Sequence, residues 1–145
     1  MEAFVKVRFK KLHPEAIIPS YAKPGDAGMD MTAISIMDDE GFQVTYGTGI
    51  AVEIPAGYVG LIFPRSSIRK YQIELTNSVG VIDSGYRGEI QFTFNKTAGV
   101  PSKRYAVGDR IGQLIIMPYP TVIPIESEIL SDTERGQGGF GSTGN

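Results

Sequence analysis

Apolar and polar residues alternate with period two along much of the chain. Val5, Val7 and Phe9 fall on one side of an extended segment, with Lys6, Arg8 and Lys10 on the other. Ile50, Val52 and Ile54 repeat the pattern, as do Ile90, Phe92 and Phe94. Successive side chains of a strand point to opposite faces, so this alternation predicts strands buried on one side. Residues 114–117 (Leu-Ile-Ile-Met) are continuously apolar, which predicts a strand buried on both faces. Turn formers separate these runs: Lys23-Pro24-Gly25-Asp26, Asp38-Asp39-Glu40-Gly41, Pro55-Ala56-Gly57, Asp83-Ser84-Gly85 and Val107-Gly108-Asp109. Only residues 66–71, after Pro64-Arg65, read as helical: Ser66 and Ser67 as hydroxyl caps, then about one turn of helix formers. Short strands with frequent turns predict an all-β fold, a sandwich or jelly-roll-like barrel with one short helix.

The 145 residues suffice for one core, and 18 Gly with 9 Pro suit many tight turns better than a helical bundle. A net charge of −2 gives no global basic field, which argues against a nucleic-acid partner. A polyanionic ligand must then be held by a few local cations, backbone amides or a metal. With no cysteine, disulfides, thiolate zinc sites and cysteine nucleophiles are excluded. His13 is the only histidine, so a Ser-His-Asp triad or a two-histidine zinc site finds too little here, and His13 is expected on the surface. No apolar run approaches the roughly 20 residues of a membrane helix, and the first residues lack a signal-peptide pattern, so a cytoplasmic location is expected.

Two segments carry candidate chemistry. Arg65, Ser66 and Ser67 at the start of the short helix suit a phosphate cradle, and equally well a capped surface turn. From Arg135 the chain places five glycines in eleven residues, too much backbone entropy for a fold of its own. The chain therefore divides into a β body, residues 1–130, and an arm, residues 131–145, of the same single domain. The arm reads either as a disordered tail or as a flexible segment that orders over a ligand, with Phe140 stacking and polar groups donating to phosphates. It is no Walker loop, since it has no Lys and only Gly144 and Asn145 follow Ser142-Thr143.

In order, five segments resemble the motifs of the trimeric dUTPase family. They are Ala27-Gly28-Met29-Asp30-Met31, Pro64-Arg65-Ser66-Ser67, Gly80-Val81-Ile82-Asp83-Ser84-Gly85-Tyr86-Arg87-Gly88, Gly108-Asp109-Arg110-Ile111-Gly112-Gln113-Leu114, and the arm from Arg135 to Gly144. Gly112 stands where many members carry Ala, and Gly85 where many carry an acidic residue.

The resemblance implies a homotrimer whose sites draw on several subunits, and the hydrolysis of dUTP to dUMP and pyrophosphate, which also supplies dUMP for thymidylate synthesis. Asp83 resembles the general base that deprotonates the water attacking the α-phosphorus, a role typically worth about 10²–10⁴ in rate. Tyr86 would pack under the deoxyribose and exclude a 2′-hydroxyl. Backbone groups of Gly80, Val81 and Ile82, with Asn77 nearby, would read the uracil edge. Arg65, Ser66, Ser67 and Gln113 would line the triphosphate. From the arm, Arg135, Gly141, Ser142 and Thr143 would close over the phosphates while Phe140 stacks on uracil. Mg²⁺ is the implied cofactor, carried on the phosphates, with Asp30 at most a partner through water. An internal pairing of Asp30 with an arginine is the equal alternative.

A dCTP deaminase or bifunctional deaminase of the same superfamily is the nearest rival. Those enzymes place a catalytic Glu on the strand after the Asp-containing turn, where this chain has Thr93. A non-catalytic β module is the rival from another class, and it would have no use for Asp83, Tyr86 and the arm together.

Overall fold

Alternation becomes pairing throughout the computed structural model, which describes residues 4–99 and 101–144. The strands are β1 (Arg8–Lys11), β2 (Met29–Thr32), β3 (Ser35–Asp38), β4 (Gln43–Gly47), β5 (Ile50–Glu53), β6 (Tyr58–Phe63), β7 (Ile73–Leu75), β8 (Gly80–Ile82), β9 (Gln91–Lys96) and β10 (Arg110–Pro118). A 3₁₀ helix, Ser66–Lys70, is the only helix among the described residues. Two four-stranded sheets, ordered β2-β10-β6-β8 and β3-β4-β9-β7, and the two-stranded β1-β5 are antiparallel throughout. The architecture is all-β and of jelly-roll type.

The inward residues of the two large sheets form one core. Val44, Tyr46, Phe92 and Phe94 come from one sheet, Met31, Ile111 and Leu114 from the other, and all are fully buried. Tyr46 brings a hydroxyl into this core and donates it to the Tyr105 carbonyl at 2.7 Å, which satisfies the buried polar atom. Burial pushes that phenol up to about 12. The ring of Tyr46 meets Phe94 edge-on at 5.7 Å, and Phe92 stacks on Phe94 at 6.3 Å.

Three expectations are adjusted. Strand β1 begins only at Arg8, leaving Val5 exposed, while Val7 and Phe9 pack against the core. Strand β10 buries Leu114 fully and packs Ile116 against the core, but on the other face Ile115 is half-buried and Met117 exposed, so within one chain the second face of 114–117 is only partly covered. The helix takes Arg65 as its N-cap with no side-chain capping bond, so Ser66 and Ser67 lie inside the turn instead of capping it.

Candidate functional site

Register across β2, β10 and β6 assembles the first part of the site. Gln113 pairs with Asp30 on one side and with Phe63 on the other, so the three residues form one row across adjacent strands. The chain leaves β6 after Phe63 and turns at Pro64, which brings Arg65 back over that row. Arg65 Nε donates to Asp30 Oδ1 at 3.0 Å, and Arg110 Nη1 approaches Asp30 Oδ2 at 3.4 Å. Arg65 Nη1 also donates to Ser67 Oγ at 3.2 Å and to the Arg110 carbonyl at 3.4 Å. Gln113 Nε2 donates to the Pro64 carbonyl at 3.1 Å, and Gly28 leaves room for this side chain, since a Cβ there would come within 3.0 Å of Gln113 Cδ. Asp26, Gly28, Asp30, Arg65, Ser66 and Gln113 line a cleft of about 380 Å³.

Ser67 Oγ also meets the Tyr105 hydroxyl at 2.9 Å. Burial raises the Tyr105 phenol above its ordinary pKa. Arg65 Nη1 donates to the same Ser67 oxygen. Arg110 and Tyr105 complete this network. Arg110 lies inside the quoted fourth segment, whereas nothing local marks Tyr105.

The second part lies around β8. This strand is the outermost of its sheet, so one edge of the Gly80–Ile82 backbone is unpaired by any other strand. Gly80 allows the close approach to β6, because a Cβ there would fall 2.6 Å from Ile62 Cδ1 and 3.5 Å from the Asn77 amide nitrogen. Beyond Ile82 the chain turns with Tyr86 N donating to Asp83 O at 3.1 Å, and both side chains are exposed. Arg87 Nη1 closes the turn through the Ser84 carbonyl at 2.6 Å. The third part is the arm. Arg135 Nε donates to Gly138 O at 2.8 Å, and Ser142 N to Gly139 O at 3.0 Å, so the arm curls on itself. Arg135, Phe140, Gly141, Ser142 and Thr143 line one concavity there, with the Phe140 ring in solvent.

One chain does not bring these parts together. Gln113 stands level with Phe63, and Ile82 with Gly60, so Asp83 lies about four residues down the sheet and two strands across. At ~3.3 Å per residue and ~4.8 Å per strand, this is roughly 16 Å. Asp30 is engaged by two guanidiniums, the arginine-paired arrangement. Among the described residues no group of three His, Cys, Asp or Glu side chains is placed to hold a metal. His13 is exposed, its Nδ1 accepting from Glu15 N at 3.1 Å.

A family model, dUTPase, matches residues 14–144. The deoxyuridine 5′-triphosphate nucleotidohydrolase of Thermobifida fusca is 41% identical over 97% of this chain and 79% of its own length. That of Nautilia profundicola is 42% identical over 97% of this chain and 99% of its own. The chain belongs to the dUTPase family. Among solved structures, a mutant dUTPase of Staphylococcus bacteriophage 80alpha with dUpNHpp superposes with a TM-score of 0.80 at 27% identity, covering 97% of this chain and 99% of that one. The dUTPase of phage phi11 of S. aureus shares the fold, with a TM-score of 0.77 at 22% identity.

Two departures from the dUTPase pattern have different physical settings. A Cβ at Gly112 would lie 2.7 Å from Phe92 Cζ and 2.9 Å from the Phe63 carbonyl, so this core leaves no room for the common alanine. At Gly85 nothing lies within 4 Å, and a larger residue would project into open space. Thr93, where a deaminase would carry Glu, is tied up by a 2.9 Å hydroxyl pair with Thr45.

Proposed function

We propose that the chain hydrolyses dUTP to dUMP and pyrophosphate, as a dUTP diphosphatase. Membership of the dUTPase family carries this reading, and the exposed Asp83–Tyr86 turn beside an open strand edge supports it in chemical terms. The unpaired edge of Gly80, Val81 and Ile82, with Asn77 beside it, offers backbone donors and acceptors to the uracil. Cytosine reverses that pattern and would leave them unpaired. Tyr86 packs against the deoxyribose.

Asp83 accepts a proton from water as the water oxygen bonds to the α-phosphorus. The bond from that phosphorus to the α,β-bridging oxygen breaks, and pyrophosphate leaves with the electron pair. Ser66 donates to the bridging oxygen, where leaving-group charge develops and a donor helps most. Ser67 and Gln113 donate to the other phosphate oxygens. Arg65 contributes positive charge while held by Asp30. Arg135, Gly141, Ser142 and Thr143 close over the outer phosphates, and Phe140 stacks on the base, worth roughly 1–3 kcal/mol by analogy with single-strand binders.

Among the described residues no carboxylate cluster fits a protein-built magnesium site, and Asp30 already accepts from two arginines. Mg²⁺ therefore arrives on the triphosphate, mostly keeping its waters, as part of the substrate. The roughly 16 Å between Asp83 and Gln113 favours a site built from more than one chain. So do the exposed arm and the partly covered face of Ile115 and Met117. A homotrimer with shared sites meets this requirement. No helix among the described residues is long and apolar enough to cross a membrane, and a cytoplasmic location suits the nucleotide substrate.

Pyrophosphate release from dUTP, dCTP, dTTP and UTP with Mg²⁺, in wild type and Asp83→Asn, tests the reading. Hydrolysis of dUTP alone, lowered at least 10²-fold by the substitution, is expected. Ammonia release from dCTP, or full activity without the carboxylate, would overturn it.

A further inference from the structure

Within the dUTP reading just given, Tyr86 excludes a 2′-hydroxyl only if its ring stays in one place, and an exposed ring on a turn has no reason to do so by itself. Two contacts hold it. Its hydroxyl donates to the Glu89 carbonyl at 2.8 Å. Its ring lies against Gly88, so closely that a Cβ at position 88 would fall 2.6 Å from Cζ and 2.9 Å from Cε1. Gly88 is not among the positive-φ glycines, so its backbone would accept alanine. What the glycine supplies is room for the ring.

The Glu89 carbonyl is in turn fixed from the body of the fold. Glu89 Oε2 accepts from Gly49 N at 2.8 Å, and Gly47 leaves space for that carboxylate, since a Cβ there would lie 2.6 Å from Oε2. The next residue is pinned twice: Ile90 N donates to Ile50 O at 2.8 Å, and the fully buried Thr48 hydroxyl donates to Ile90 O at 2.6 Å. The β4–β5 turn thus grips residues 89–90, and through them the phenol of Tyr86.

We propose that Gly88 and Glu89 are specificity-positioning residues that seat the Tyr86 ring against the deoxyribose and so set the rejection of ribonucleoside triphosphates. Neither touches the nucleotide in this arrangement; both act through Tyr86. The three atoms nearest an alanine Cβ at 88 all belong to the far end of the Tyr86 side chain, which can swing aside, so the fold survives while the ring moves.

The test compares kcat/KM for Mg·dUTP and Mg·UTP in wild type, Gly88→Ala, Glu89→Ala and Glu89→Gln, with thermal unfolding as a control on folding. Gly88→Ala is expected to lower the dUTP-to-UTP ratio at least tenfold, chiefly by raising KM for dUTP and admitting UTP. Glu89→Ala should shift the ratio in the same direction, and Glu89→Gln, whose amide oxygen can still accept from Gly49 N, should restore it. An unchanged ratio in folded Gly88→Ala and Glu89→Ala overturns the positioning role while leaving the dUTP reading intact. A wild type inert toward dUTP overturns both.

Discussion

Adding one methyl group at Gly112 places it 2.7 Å from Phe92 Cζ and 2.9 Å from the Phe63 carbonyl, and closer still to Phe92 Cε1. Neither neighbour can yield cheaply. Phe92 is fully buried and stacked on Phe94 at 6.3 Å, and the Phe63 carbonyl belongs to β6, which is paired to β10 at Gln113. Overpacking of this kind costs about 1–3 kcal/mol. At ~4 °C per kcal/mol for a chain of this size, Gly112→Ala should lower Tm by roughly 4–12 °C. Scanning calorimetry at one fixed protein concentration is the assay, because self-association makes Tm depend on concentration. Gly85→Ala, which meets open space, is the matched control and should stay within about 0.5 kcal/mol of wild type. Combining Phe92→Leu with Gly112→Ala should recover part of the loss, as coupled neighbours do. A Gly112→Ala protein that melts within a degree of wild type would refute the packing argument.

The Asp39 carboxyl is held below its ordinary pKa by a hydrogen bond from Lys96, then by Arg104, against the opposing effect of burial. A depressed carboxylate stabilises the fold above its unfolded pKa near ~4 and loses that contribution as pH falls through the lower folded value. Asp39→Asn should therefore unfold at lower urea at pH 7 and show a shallower loss between pH 5 and pH 2. Tyr46→Phe removes the donor to the Tyr105 carbonyl, which keeps its 2.9 Å bond from Arg104 Nη1, so the expected loss is about 0.5–1.5 kcal/mol by urea denaturation. Deleting residues 135–145 should leave the unfolding midpoint nearly unchanged and cut dUTP turnover severely; normal turnover would refute a role for the arm.

The strands were legible because period-two alternation is a local property, and Ile50, Val52, Ile54, Ile90, Phe92 and Phe94 are all buried as the pattern predicts. Residues 114–117 misled because an apolar run records that a face will be covered but not by what, and one chain only partly covers the side opposite Leu114. The partners of Asp30 could not be read locally. They depend on the register of β2 against β10 and on the reversal after Phe63, both set by contacts distant in sequence. Gly88 carries no local signal of its role, because what matters is the ring that fills its missing side chain. The short helix is punctuated by Pro64 and the two serines, while its N-cap is Arg65, with no side-chain capping bond.

The roughly 16 Å that separates Asp83 from the Arg65 cleft in one chain has a consequence for inheritance. If each site borrows its base from one subunit and its phosphate grip from another, a defective chain does not fail alone. A subunit lacking its carboxylate would disable a pocket whose other walls are sound, and so act dominantly over a normal copy. Two chains with different lesions, each inactive alone, could still meet in one assembly and compose a working pocket from their intact halves.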